Sequence, residues 1–289
     1  MRTVRSIAEM RASLRRARSE GLSVALVPTM GAFHAGHHSL MRAARANHDE
    51  VVVSLFVNPA QFDDPRDLDA YPRTVDHDAA DAAELGVDVL FAPPVEEIYP
   101  PGFATTISVG GLAAVLEGAT RGPRHFAGVC TVVAKLLNIV QPDVAYFGQK
   151  DAQQVAVVER MIRDLNIPAR LEALPTVRES DGLAMSSRNR RLDAGERERA
   201  LGLSRALTVA EQLVGAGETD VERLRAAAQT QLANVDAVDY VALVDPTSFT
   251  PVSGALGGPT LLAIAASVGP VRLIDNVVLQ PVPDPVATG

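Results

Sequence analysis

Residues 23–37 read SVALVPTMGAFHAGH, and GHHSLMRAARAN runs on from Gly36 to Asn47. The run 23–28 is apolar without alternation, as a strand covered on both faces must be. Thr29-Met30-Gly31 is turn chemistry, and residues 36–47 have the spacing of a helix. The same alternation recurs on either side. VVVSLFV (51–57) is a second apolar run, closed by Asn58-Pro59. A helical pattern over 74–85 leads to GVDVLFAP (86–93), a third strand. DVAYFG (143–148), the helical DAQQVAVVERMIRDL (151–165) and RLEALPTV (170–177) complete the series. Short apolar strands separated by helices predict an α/β fold, a doubly wound parallel sheet. Ligands of such sheets bind beyond the carboxyl ends of the strands.

The texture changes after residue 176. A long helical stretch (DAGERERALGLSRALTVAEQLVGAG) and a second helix at 219–233 come first. VDYVALVD (238–245), TLLAIAAS (260–267) and VRLIDNVVL (271–279) follow with no helix between them. This predicts a second, smaller α+β domain, with the boundary placed between residues 176 and 177. The Pro-rich tail, about 281–289, is expected to be disordered.

The chain has 289 residues and is 47% apolar, enough to bury the cores of two domains. A net charge of −8 argues against non-specific nucleic-acid binding, which needs a basic surface. No run of about 18 apolar residues is present, so no membrane span is expected. The N-terminal residues are basic but lack a continuous apolar core, so they do not read as a signal peptide, and the cytoplasm is the expected location. Their apolar positions Val4, Ile7, Met10 and Leu14 fit a surface helix. Cys130 stands alone among valines and reads as a small buried hydrophobe.

Three stretches carry chemistry. In the first, His34 and His37 flank the entrance to a helix and are three residues apart, so they share a side. A helix start offers unpaired N–H groups and a positive dipole end, which favour phosphate. Two imidazoles there can stabilise charge at an attacked phosphorus. Gly31 and Gly36 permit close approach of the backbone. The same pair could bind a metal, but no third ligand has a matching spacing. It could also be plain surface, and His38 points elsewhere. In the second stretch, Gly148-Gln149-Lys150-Asp151 ends a strand and enters a helix. Lys150 is suited to a triphosphate and Asp151 to an N-cap, although a solvated lysine and a capping aspartate explain the same letters. In the third, Met185-Ser186-Ser187-Arg188 groups hydroxyls with a guanidinium, either as phosphate donors or as an ordinary polar loop. Met30, Asn58, Gln61 and Gln154 fall at strand ends or helix starts, where a small substrate would find neutral contacts.

Together the segments resemble the adenylyl-transferring enzymes that include class I aminoacyl-tRNA synthetases. More narrowly, the chain resembles the pantothenate synthetase (pantoate–β-alanine ligase) family. The resemblance rests on VPTMGAFHAGHHSL, VVSLFVNPAQF, DLDAYPRT, HFAGVCTVVAKLLNIVQPDVAYFGQKDAQQ, PTVRESDGLAMSSRNR and RLIDN, in that order between residues 27 and 276. It implies a ligase that converts pantoate, β-alanine and ATP into pantothenate, AMP and pyrophosphate with Mg²⁺, through a pantoyl-adenylate. The implied ATP contacts are Met30, Gly31, Ala32, Phe33, His34, Ala35, Gly36, His37, Gly148, Gln149, Lys150, Asp151, Val177, Met185, Ser186, Ser187 and Arg188. His37 is the implied main catalytic histidine, with His34, Lys150, Ser186, Ser187 and Arg188 in support. Gln61, Gln154 and Met30 are implied for pantoate, and Gln61 also for β-alanine. A homodimer is implied as well, its first domain Rossmann-like and its smaller second domain closing over the site.

Two departures stand out. Arg121-Gly122-Pro123-Arg124-His125-Phe126 carries one residue more than the family's usual spacing, so either Arg121 or Arg124 could face the site. In Asp76-His77-Asp78 only Asp78 matches the acidic positions linked to metal, which favours Mg²⁺ carried by ATP. Two other readings compete. A nucleotidyltransferase would share the histidine signature but lack the NPAQF and GQKD segments, and a non-catalytic nucleotide-binding module would bind ATP without turnover.

Overall fold

The computed structural model describes residues 1–62 and 65–281. The chain divides into two compact units, Met1–Val177 and Arg178–Gly289. In the first unit the elements are β1 (Arg2–Val4), α1 (Ile7–Ser13), α2 (Arg15–Glu20), β2 (Val24–Thr29), α3 (Ala35–Asn47), β3 (Glu50–Leu55), α4 (Pro65–Asp69) and α5 (Val75–Glu84). There follow β4 (Val89–Phe91), α6 (Val95–Ile98), α7 (Glu117–Arg121), α8 (Pro123–Val140), β5 (Val144–Gly148), α9 (Ala152–Asp164) and β6 (Arg170–Leu174).

Among the described residues these strands form one six-stranded sheet in the order β1-β4-β3-β2-β5-β6, with every pairing parallel. β2 lies between β3, which it pairs from Val24↔Glu50 to Thr29↔Leu55, and β5, which it meets at Ala25↔Val144 and Leu26↔Ala145. The chain leaves β2 toward β3 on one side and returns to β5 on the other. The order of strands therefore reverses at β2 and β5, the place where sheets of this kind bind ligands beyond their carboxyl ends.

The unbroken apolar character of β2 and β3 has its cause in two covered faces. Ala25, Leu26, Val27, Val51, Val52 and Val53 are all fully buried. Ala25, Val27, Val51 and Val53 join Leu40, Met41 and Ala44 of α3 and Leu90 in one core. Fully burying a side chain such as Met41 contributes about 1.5–3 kcal/mol. α8 packs against β2, α9 and α1.

Three features differ from the sequence expectation. β1 is an edge strand on β4, where only a helix was expected; the N-terminal helix is real but split in two, with Met10 and Leu14 fully buried. α8 was not foreseen. The strand expected at 170–177 ends at Leu174.

In the second unit, α10 (Ala194–Gly215) and α11 (Val221–Gln231) accompany an antiparallel sheet of β7 (Ala237–Val244), β8 (Thr260–Val268) and β9 (Val271–Leu279). One core unites Leu203, Leu207 and Val214 of α10, Leu224 and Ala228 of α11, and Leu262 and Ile264 of β8. Both helices start on an aspartate. Asp193 accepts from Glu196 N, whose side chain returns the bond, and Asp220 accepts from Glu222 N and Arg223 N. The expected disordered tail lies, from residue 282 on, outside the described residues. Among the described residues no helix is long and apolar enough to cross a membrane.

Candidate active site

The turn after β2 is built on a buried carboxylate. Asp78, in the first turn of α5, is 1% exposed. Its Oδ2 accepts from Ala32 N at 2.9 Å and its Oδ1 from Phe33 N at 2.8 Å, while the Thr74 hydroxyl donates to Oδ2 at 3.0 Å. Gly31 crosses over this carboxylate at φ +87°, and a Cβ there would come within 3.0 Å of Asp78 Oδ2. Glycine is thus required by backbone angle and by space. The Gly31 N–H is held by Thr29 Oγ1 at 3.3 Å, and that hydroxyl donates to Ser54 O at 2.7 Å.

These bonds change the expected phosphate grip. The N–H groups of Ala32 and Phe33 go to Asp78, and that of Gly36 donates to His34 Nδ1 at 3.1 Å. These three N–H groups are therefore not the unpaired donors expected from the sequence at the helix start. Asp78, the residue matching a metal-linked position, spends both carboxylate oxygens on the turn. Among the described residues no group of three or more His, Cys, Asp and Glu could hold a metal ion.

His34 caps α3 with Nδ1 as the acceptor, so the neutral ring carries its proton on Nε2. Its ring centroid lies 4.1 Å from that of His37, with Phe33 5.5 Å from His37 on another side. Burial, and then the charges of His34, His38 and Lys150, push the His37 imidazole down from 6.5 to about 3. His37 is accordingly neutral near pH 7. Its Nδ1 is buried with no hydrogen-bond partner. His38 turns away, with Nε2 3.0 Å from Asp81 Oδ2, in agreement with its structural reading.

At the end of β3, buried Asn58 works as a junction. Its Nδ2 donates to Gln61 Oε1 at 2.9 Å and to Gly128 O at 3.1 Å, and its Oδ1 accepts from Tyr99 OH at 2.8 Å. This locks the Gln61 amide with Nε2 toward Met30 Sδ, 3.1 Å away. His125 Nδ1 lies 2.9 Å from Gln61 O. Sequence reasoning missed the parts played by Tyr99 and His125, since both act on residues more than 40 positions away.

At the end of β5, Gly148 leads into a single 3₁₀ turn, Gln149–Asp151, and α9 begins at Ala152. Asp151 occupies the N-cap position, but its carboxylate makes no capping bond. Lys150 is half-buried and near enough to His37 to depress its protonation. A signal for it was present in the sequence: of 27 basic residues only Lys135 and Lys150 are lysines. Of the neighbouring glutamines, Gln153 is buried and tied to Leu112 O, Val115 O and Glu117 N, while Gln154 is partly exposed. Arg121 is paired with buried Glu117 at 2.7 Å, and Arg124 is exposed in the first turn of α8. Cys130 is fully buried, and burial pushes its thiol up to about 12, which excludes a thiolate nucleophile.

In the first unit, then, Gln61 meets Met30, His34 lies against His37 and Lys150 acts on His37, all on the segments that follow β2, β3 and β5, where the strand order reverses. In the second unit, Met185, Ser186, Ser187 and Arg188 are all partly buried. Ser186 accepts from Arg188 N at 3.2 Å and starts the turn Ser187–Arg191. That bond uses the hydroxyl oxygen and leaves its proton available to a ligand.

The family model described as pantoate-beta-alanine ligase matches residues 2–278. The pantothenate synthetase of Moorella thermoacetica is 51% identical over 282 residues, covering 97% of this chain and 99% of that protein. That of Heliobacterium modesticaldum is 52% identical over 282 residues, with 97% and 100% covered. The crystal structure of pantothenate synthetase from Thermus thermophilus superposes with a TM-score of 0.91 at 46% identity, covering 97% of this chain and all of that one. The pantoate-beta-alanine ligase of Francisella tularensis, complexed with beta-gamma ATP and beta-alanine, gives 0.78 at 34% identity, with 96% and 97% covered.

Proposed function

The chain belongs to the pantoate–β-alanine ligase family, and from that premise we propose how its residues divide the reaction. The enzyme condenses pantoate with β-alanine at the expense of ATP. The gathering of Met30, His34, His37, Gln61 and Lys150 at the reversal of strand order carries our assignment of roles.

In the proposed course, a pantoate carboxylate oxygen attacks the α-phosphorus of ATP and the bond to pyrophosphate breaks. The β-alanine amine then attacks the acyl carbon of the pantoyl-adenylate, loses a proton and expels AMP. The first step brings a carboxylate toward a polyphosphate, so counter-charge is the main demand. Lys150 supplies a point charge, and His34 a hydrogen bond from Nε2. His37 meets the nucleotide as a neutral ring. An incoming phosphate has the opposite sign to the charges of His34, His38 and Lys150 that depress it, so ATP binding raises its affinity for a proton. Gln61, its amide fixed by Asn58, orients pantoate against Met30, with Gln154 as a second contact and β-alanine approaching Gln61. The Met30–His37 stretch and Gly148–Asp151 contact ATP from the first unit. Val177, and in the second unit Met185–Arg188, are assigned as further ATP contacts, the last through two hydroxyls and a guanidinium.

Mg²⁺ fits this reading as a companion of the triphosphate, since it keeps several waters and binds largely through phosphates. The donor set around Asp78 does not fit a protein-held ion, because three protein donors already occupy that carboxylate. No step is assigned to the ion. We further propose a homodimer located in the cytoplasm, the former checked by sedimentation.

The test is ATP–pyrophosphate exchange, which should require pantoate and be silent without it. Exchange independent of pantoate would return the chain to the nucleotidyltransferases, and ATP binding with no exchange would make it a non-catalytic module.

A further inference from the structure

The turn bearing Ser186–Arg188 lies beside β9 and is further held by a small polar assembly within the second unit. Residues 178–184 fold back on themselves: Gly182 N donates to Glu179 O at 2.9 Å, Glu179 N to Leu183 O at 2.8 Å, and Arg178 bridges Ala184. From this fold-back the Glu179 carboxylate takes two side-chain donors. Asn189 Nδ2 gives it a bond of 2.6 Å, and Arg197 Nη2 of α10 takes the other oxygen. Arg197 Nε also holds Asp181 Oδ2 at 2.7 Å. Asn189 sits inside the Ser187–Arg191 turn, is 4% exposed and donates its second amide proton to Ala184 O at 3.0 Å. Two acceptors fix which way that amide faces, and its Oδ1 has no partner. The side chain is therefore placed for its donors. A chain of contacts runs from helix α10 through Arg197, Glu179 and Asn189 to the residue next to Arg188.

We propose that Glu179 is a positioning residue for the adenylation step: through Asn189 and Arg197 it fixes the turn that presents Ser186 and Arg188. This rests on the reading that Arg188 meets the triphosphate. Glu179 touches no substrate in this assignment. A misplacement of about 1 Å in a group that must meet transition-state charge can cost about 100-fold in rate.

The experiment is a double-mutant cycle on pantoate-dependent exchange with Glu179→Ala, Arg188→Ala and the pair, plus Glu179→Gln, which keeps an acceptor for Asn189. Melting temperatures verify that each variant is folded. Glu179→Ala should lower kcat by about 100-fold with the KM for pantoate unchanged, Glu179→Gln should recover part of the loss, and the pair should be no worse than Arg188→Ala alone. Equal, independent losses that multiply in the pair would overturn the positioning role while leaving Arg188 in the site. Full activity in Arg188→Ala would instead remove the underlying reading of the turn. Full activity in a folded Glu179→Ala alone would remove only the proposal made here.

Discussion

The two turns to which we assign the reactive side chains are braced by opposite means. In the first unit, Asp78 is buried and holds the backbone of residues 32 and 33 directly. In the second, Glu179 and Asp181 are held by Arg197, whose side chain is 32% exposed, and Glu179 reaches the turn through Asn189. A buried carboxylate on backbone N–H groups is strong because losing it strands donors away from water. Exposed ion pairs contribute about 0–1 kcal/mol and are screened by salt. The lesson is that the histidine turn is rigid before any ligand arrives, while the serine–arginine turn is held by bonds that can be loosened without unfolding the domain.

The largest effects should come from His37, which follows the turn held by Asp78, and from Lys150, on the turn after β5. His37→Ala and Lys150→Ala should each reduce exchange by about 10³-fold, the scale of one lost transition-state donor, with melting unchanged. Near-normal exchange in either would break the assignment of chemistry to that side. Next in size is the brace. Asp78→Ala strands two buried N–H groups and should cost about 3 kcal/mol of stability, read by chemical or thermal unfolding. Glu179→Ala removes a partly exposed ion pair and the acceptor of one Asn189 donor, and should cost less, about 1–2 kcal/mol, in the same assay. Equal costs would erase the contrast between the turns.

How much of this could be read from the chain follows from the range of each interaction. The strand–turn–helix at SVALVPTMGAFHAGH is local, so its letters predict β2, α3 and the shared side of His34 and His37. α8 escaped because twelve of its eighteen residues are buried, on faces all around the helix, and its valines read equally well as strand. β1 is three residues long and pairs with residues more than 80 positions away. Asp78 is 45 or 46 positions from the N–H groups it holds, and no spacing rule connects them. The letters of RESDGLAMSSRN pick out the second turn, but not that Glu179 and Asn189 face one another or that Arg197 completes the set. Side-chain direction across a fold-back is decided by packing, not by periodicity.

Acid should separate the two turns more gently. His37 has a folded-state value of about 3 against an ordinary 6.5, so the unfolded chain takes up its proton first. Its contribution to stability is complete above pH 6.5, is lost as pH falls below that value, and stops falling near 3. The Arg197 guanidinium holds Asp181 below its ordinary 3.8, so that contribution is complete above 3.8 and is lost only as pH falls through the lower, folded-state value. Between pH 7 and 5 the melting temperature of the wild type should therefore fall more than that of His37→Gln, while Asp181→Asn should track the wild type. Parallel curves for the wild type and His37→Gln would mean that His37 is not held neutral.

Salt should give the smallest difference. Raising ionic strength from 0.1 to 1 M shortens the Debye length from about 10 to about 3 Å. The Arg197 pairs are partly exposed and should weaken, so the stability cost of Glu179→Ala should shrink at high salt to the part owed to the Asn189 bond. The Asp78 bonds are shielded from counter-ions, because the carboxylate and the N–H groups of Ala32 and Phe33 are buried together. The cost of Asp78→Ala should then be the same at both salt concentrations. A cost for Asp78→Ala that fell in step with that of Glu179→Ala would show that solvent reaches the first brace as it does the second, and the rigidity assigned to the histidine turn would need another source.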